Sequence, residues 1–149
     1  MPVRREYPLL PLASVHAVIL RADEVLLVRR AHAPSQGRWS VPGGAMRLGE
    51  TVRQAAEREV REECGVGIEV EQVLDVADNI VRDEDGRIRF HYVVIYVLAR
   101  WVEGFARASS DASAIQWVHC DRLHALDMHS SAREAIRKAR AFGSTGDKR

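Results

Sequence analysis

The sequence predicts a mixed α/β (α+β) fold, and three observations predict it. Apolar, β-branched-rich runs recur along the chain at strand length, a segment with helical periodicity and both cap signals interrupts them, and a second helical stripe follows near the end. Strands alternating with helices at this spacing call for a sheet covered by helices rather than a bundle or an all-β sandwich. At 149 residues the chain has the length of one domain with a real core, placed at 1–142 with a flexible tail at 143–149.

The first two strands are 14–20 and 24–30, separated by Arg21-Ala22-Asp23 and so expected to form a hairpin. Residues 31–50 are loop-like, with two prolines and four glycines in AHAPSQGRWSVPGGAMRLGE. Thr51 with Gln54 matches a capping box opening a helix to about Cys64, and Gly65 supplies its stop. A strand over 66–77 follows. Asp83-Glu84-Asp85-Gly86 marks a turn, and 90–98 is nearly all apolar, as in the middle of a sheet. A short strand over 114–119 precedes a last helix, capped by Ser131 with Glu134, whose inward stripe is Ala132, Ala135, Ile136, Ala139 and Phe142.

Composition excludes several function classes. The 22 basic residues nearly balance 21 acidic ones, so no global field favours a nucleic acid or a membrane surface. Two cysteines, Cys64 and Cys120, make neither a disulfide framework nor a zinc spacing, and no apolar run reaches bilayer length. The N-terminus lacks the apolar stretch of a secretory signal, so a cytoplasmic protein is expected. The near-neutral sum hides a pattern: net charge is +3 over 1–50, −7 over 51–86 and +5 over 87–149.

The acidic middle centres on the 51–64 helix. Advancing about 100° per residue, Glu59, Glu62 and Glu63 fall in the arc of Ala55, Ala56 and Val60, the face that packs inward. Carboxylates crowded on a buried side, at the helix end where the macrodipole is negative, need a compensating cation. A hard divalent ion on oxygen ligands meets the need, with Mg²⁺ or Mn²⁺ the natural candidates; a buried Arg–Glu network is the alternative.

The same residues carry a family resemblance. Gly44, Glu50 and Arg58-Glu59-Val60-Arg61-Glu62-Glu63-Cys64-Gly65-Val66 fit the Nudix box, G-x5-E-x7-R-E-U-x-E-E-x-G-U, in all seven fixed letters. The approach Gly37-Arg38-Trp39-x-x-Pro42-Gly43-Gly44 is also similar. The chain resembles the short ADP-ribose-pyrophosphatase-like and nucleoside-triphosphate pyrophosphohydrolase-like Nudix hydrolases. The resemblance implies an α/β/α sandwich with a mixed sheet, the box forming a loop–helix–loop against it. It implies hydrolysis of a small nucleoside diphosphate derivative by water attack at phosphorus. Glu59 and Glu63 would be the principal metal ligands, Glu62 a further ligand or a partner through metal-bound water, and the Gly44 region a carbonyl donor, with Arg58 and Glu50 as a supporting pair. The metal would lower the water's pKa and neutralise the diphosphate.

Other roles are less constrained. For the general base the sequence offers Glu62 or Asp111, with Glu103 the other loop acid. Arg29, Arg30, Arg38 and Arg47 are placed to meet phosphates, and Trp39 to stack on a base or anchor the loop. None of the six histidines has metal spacing, and Tyr92 reads as core. Two subfamily markers, a downstream proline for ADP-ribose and a downstream tyrosine for dinucleoside polyphosphates, are missing: no proline follows Pro42, and Tyr92 and Tyr96 lie in a strand. The alternatives are a catalytically silent nucleotide-sensing module and removal of pyrophosphate from RNA 5′ ends. An intact box argues against the first, and the lack of a basic strip interleaved with aromatics against the second. A small-molecule partner is expected, with no membrane or nucleic acid, and a homodimer is common among relatives.

Overall fold

The computed structural model describes residues 4–107 and 112–146. The described residues form seven strands and two helices in the order β1 (Leu12–Arg21), β2 (Glu24–Arg30), β3 (Trp39–Ser40), β4 (Gly43–Ala45), α1 (Val52–Cys64), β5 (Gly67–Arg82), β6 (Ile88–Glu103), β7 (Ala112–His119) and α2 (Ser130–Gly146). A 3₁₀ turn, Cys120–Ala125, joins β7 to α2.

The sheet is mixed. Its main path runs β3-β2-β1-β6-β5, with β4 also on β1 and β7 also on β2. β1 is parallel to β6 and antiparallel to β2 and β4, and the β5–β6 hairpin is antiparallel. The expected hairpin forms, but β1 and β2 pair only at Leu20↔Val25 and Arg21↔Glu24 before diverging, with Ala22 turning at φ 52°. The two strands then find other partners, β6 and β4 for one, β7 and β3 for the other.

Alternation along β1 divides the core. Val15, Ala17 and Ile19 pack with Ala55, Ala56, Val60 and Cys64 of α1, whereas Val18 packs with Ala132, Ala135, Ile136 and Ala139 of α2 on the opposite face. This is the α/β/α sandwich. Each fully buried aliphatic side chain such as Val60 contributes about 1.5–3 kcal/mol relative to exposure. The capping box at Thr51 is present in both directions, at 3.1 Å and 3.0 Å, and Gly65 closes α1 at φ 72°.

Three expectations about local structure change. The stretch read as loop contains β3 and β4. Ser131 does not cap α2; it lies in the first turn and its Oγ meets the Tyr96 hydroxyl at 3.0 Å, while Glu134 pairs with Arg137. Phe142 is half exposed, because the inward stripe ends at Ala139, and the helix runs on past Gly143 to Gly146.

Candidate active site

α1 and β4 meet at one end of the sheet, and Arg58 organises what they bring there. Its guanidinium donates from Nε and Nη2 to the two oxygens of Glu50, at 2.5 and 2.8 Å, and from Nη1 to Glu59 at 2.8 Å and Glu62 at 3.2 Å. Nη2 also donates to the Ala45 carbonyl at 3.0 Å, tying helix to strand. A bidentate Arg–carboxylate pair is among the stronger polar contacts available. It holds Glu50 far below the ordinary carboxylate range, at about 2, burial opposing, and the Arg47 backbone N–H adds a 2.7 Å bond to the same group. Arg58 itself is pushed above its usual value, first by Glu50 and then by Glu59, against a burial penalty.

The predicted carboxylates divide. Glu63 is 7% exposed, and its charge joins burial in raising the Cys64 thiol. Glu59 leans on β4 so closely that a Cβ on Gly44 would lie 2.6 Å from its Oε2 and 2.8 Å from its Oε1. Glu62 does not lie on the buried side as expected: its side chain is 46% exposed, held at the rim by Arg58 and, at 3.6 Å, by Arg47. Position 62 sits at the flank of the inward arc, where the sheet no longer covers it. A chamber of about 540 Å³ opens over these groups, lined by Glu59, Glu62, Glu63, Gly43, Gly44, Ala45 and Arg47.

The donor set is all hard oxygen, carboxylates beside the Gly43-Gly44 backbone, which suits a divalent cation. Among the described residues no three carboxylate, His or Cys side chains already converge on one point. Arg58 meanwhile bridges Glu59 and Glu62, so the Arg–Glu network is formed and engages two of the carboxylates expected to hold a cation.

The arginine predictions need one correction. Arg29 is not in the chamber wall; it is exposed and donates to the Gly37 carbonyl at 3.1 Å. Strand alternation gives the place to its neighbour Arg30. Arg38 and Trp39 line a second, smaller pocket of about 90 Å³, Arg38 held by Asp127 at 3.0 Å and Trp39 half buried against the α2-side core. Glu103 is remote, exposed and paired with Arg61 at 2.7 Å. Asp111 lies outside the described residues.

The two cavities adjoin, sharing Arg5, Arg30, Gly44, Ala45 and Tyr92 in their walls. Sequence reasoning missed several of the smaller pocket's residues: Ser14, His16, Asn79, Tyr96 and His129. Ser14 and His16 carried a signal, as polar residues inside an apolar strand run. Arg5 had none. It arrives on an N-terminal segment fixed by Tyr7, whose N–H donates to the Arg89 carbonyl at 2.7 Å and whose hydroxyl donates to Asp83 at 2.8 Å. Arg87 stacks over the Tyr7 ring at 4.5 Å, and Glu6 pairs with Arg89 at 2.8 Å. Burial pulls His16 down to about 4, with its backbone hydrogen bond to Val41 opposing, and it also lowers His129, with Arg38 adding to the effect.

Comparison with known proteins agrees with this geometry. The NUDIX domain family matches residues 10–139. An ADP-ribose pyrophosphatase of Methanocaldococcus jannaschii is 30% identical over 116 residues, 78% of this chain and 66% of that protein. The 8-oxo-dGDP phosphatase NUDT18 of Homo sapiens is 38% identical over 92 residues, 62% of this chain but only 26% of that protein. The chain thus spans just under two thirds of the first relative and about a quarter of the second. Among solved structures, the MutT NUDIX hydrolase of Burkholderia pseudomallei superposes with a TM-score of 0.69 at 30% identity, covering 87% of this chain and 98% of that one. With the family matched over nearly the whole sequence and its box laid out along α1 and β4, the chain belongs to the Nudix hydrolase family.

Proposed function

We propose that the chain hydrolyses the pyrophosphate linkage of a small nucleoside diphosphate derivative, a nucleoside triphosphate, ADP-ribose or a nucleotide sugar, with Mg²⁺ or Mn²⁺. The observation that carries the reading is the Glu59 carboxylate seated on Gly44 beside buried Glu63, in a chamber of about 540 Å³ that adjoins a second pocket. The larger space has room for a diphosphate with its sugar, and the smaller adjoining pocket has room for the edge of a base. Glu59 and Glu63 would hold the cation, with Glu62 and a Gly44-region carbonyl completing the protein's share and water the rest. When bound, the cation supplies charge neutralisation of the diphosphate and acidification of water.

The chain's own residues do the positioning. Arg58 fixes the direction of Glu59 and Glu62 and is itself fixed by Glu50. Arg5, Arg30 and Arg47 line the chamber and would meet phosphate oxygens. Glu62, exposed at the rim, would accept a proton from the attacking water. Phosphoryl transfer asks for little more than position and charge balance.

A panel of nucleoside triphosphates, ADP-ribose, nucleotide sugars and dinucleoside polyphosphates, with each metal, tests the reading. Hydrolysis of at least one, reduced strongly by Glu63→Gln, is expected. Turnover of none, or turnover indifferent to that change, would sink it.

A further inference from the structure

The smaller pocket carries chemistry that hydrolysis does not use. Ser14 and His16, two residues apart on β1, share the strand face that borders it. The Nδ1 of His16 lies 3.0 Å from the Val41 carbonyl oxygen. A carbonyl oxygen only accepts, so Nδ1 carries the proton and Nε2 of the neutral ring is left as an acceptor. Among the described residues nothing donates to Nε2. Ser14 is 3% exposed, and among the described residues its hydroxyl is the buried side-chain polar atom without a partner. Unpaired buried polar atoms are rare in native folds, and each one calls for an explanation.

The pocket's other polar groups are engaged or lie elsewhere in its wall. The Tyr96 hydroxyl is matched with Ser131 and the Arg38 Nε with Asp127. Trp39 and Tyr92 contribute aromatic surface. What remains open on the β1 face is one obligatory acceptor and one hydroxyl able to donate or accept. We infer that His16 is a specificity-determining residue, its Nε2 accepting a hydrogen bond from the exocyclic amino group of a nucleobase whose edge enters this pocket from the adjoining chamber, with the Ser14 hydroxyl as the second polar contact. The inference takes from the hydrolase reading only that a nucleotide occupies the adjoining chamber. A sugar hydroxyl also donates, but the aromatic surface suits a planar base better.

Binding, rather than turnover, tests this. Two pairs of nucleotides differ only in an amino group: ADP against purine riboside 5′-diphosphate, and GDP against IDP. Titration calorimetry in Mg²⁺ compares each pair on the wild-type protein, His16→Phe and Ser14→Ala. The amino-bearing member of at least one pair is expected to bind the wild type about tenfold more tightly, the scale of one buried acceptor left unmatched. His16→Phe should reduce that ratio to about twofold or less by weakening the amino-bearing ligand alone. As a check that needs no variant, the ¹⁵N resonance of His16 Nε2 in the wild-type protein should move with the amino-bearing nucleotide and not with its analogue. Equal affinities within both pairs, as expected if a sugar hydroxyl or a water satisfies His16, would overturn the inference. So would no nucleotide binding at all, or discrimination that survives His16→Phe. Amino discrimination without hydrolysis of any substrate would remove the catalytic reading and leave this one standing, whereas hydrolysis without discrimination would do the reverse.

Discussion

Gly44→Ala separates the candidate site from the fold. Gly44 has an ordinary backbone conformation, so alanine introduces no backbone strain. Its new Cβ would lie 2.6 Å from Glu59 Oε2, 2.7 Å from Cδ and 2.8 Å from Oε1, where ordinary contact begins at 3.4 Å. The carboxylate must therefore retreat by roughly 0.8 Å, and it can, being the end of a flexible side chain. A misplacement of about 1 Å at a reacting centre costs on the order of 10²-fold, and disturbing the groups that orient a metal ligand costs about 10–100-fold. The expected loss in kcat/KM is thus about 10–100-fold, roughly 1.4–2.7 kcal/mol of transition-state stabilisation. Divalent-cation affinity, read by calorimetry or by Mn²⁺ paramagnetic resonance, should fall in parallel. The melting temperature should stay within about 4 °C of wild type. Unchanged turnover and cation affinity in a folded Gly44→Ala protein would refute the assignment of Glu59.

The neighbouring glycine should behave differently: at Gly43 a Cβ would collide with the Val15 carbonyl and lie 2.6 Å from the His16 Cα, backbone that cannot yield, so Gly43→Ala should lower soluble yield and melting temperature sharply. Glu50→Gln should destabilise the protein at neutral pH. Because Arg58 holds Glu50 at about 2 in the fold, below its ordinary 4.5, that stabilisation is present above 4.5 and lost as pH falls toward 2; melting curves of variant and wild type should converge over that interval. Arg58→Lys keeps the charge but cannot reproduce the fork that reaches Glu50, Glu59 and Glu62, and turnover should fall by at least about tenfold. Arg5→Ala should raise KM with little change in kcat, and Tyr7→Ala, which releases the segment bearing Arg5, should reproduce the effect in the same steady-state assay.

Much of the fold was legible because local signals and tertiary needs agree. The capping box at Thr51, the stop at Gly65 and the apolar strands each specify their own element, and the structure keeps them. β4 was hidden because its two glycines and the preceding proline read as loop. They are there for close approach to β1 and Glu59, a requirement set by residues far away in sequence. The helical wheel placed Glu59 and Glu63 but misjudged Glu62, since periodicity gives a direction and not where the covering sheet ends. Arg29 and Arg30 are adjacent in sequence, and only pairing of β2 with β3 and β7 decides which one faces the chamber. Arg5 owes its place to contacts with Asp83 and Arg89 across the whole domain, which no local pattern records.

The three residues of β4 have a thermodynamic consequence. On one side they pair with Ser14, Val15 and His16, beside the smaller pocket; on the other, Gly44 supports Glu59. One short strand is thus common to the wall that would sense a base and to the carboxylate that would hold a cation. If occupancy of one cavity shifts that backbone, the two affinities are linked, and linkage is reciprocal: whatever factor the cation adds to nucleotide affinity, the nucleotide returns to the cation. A base that fits poorly would therefore be penalised twice, once in its own pocket and again through a less well-held cation.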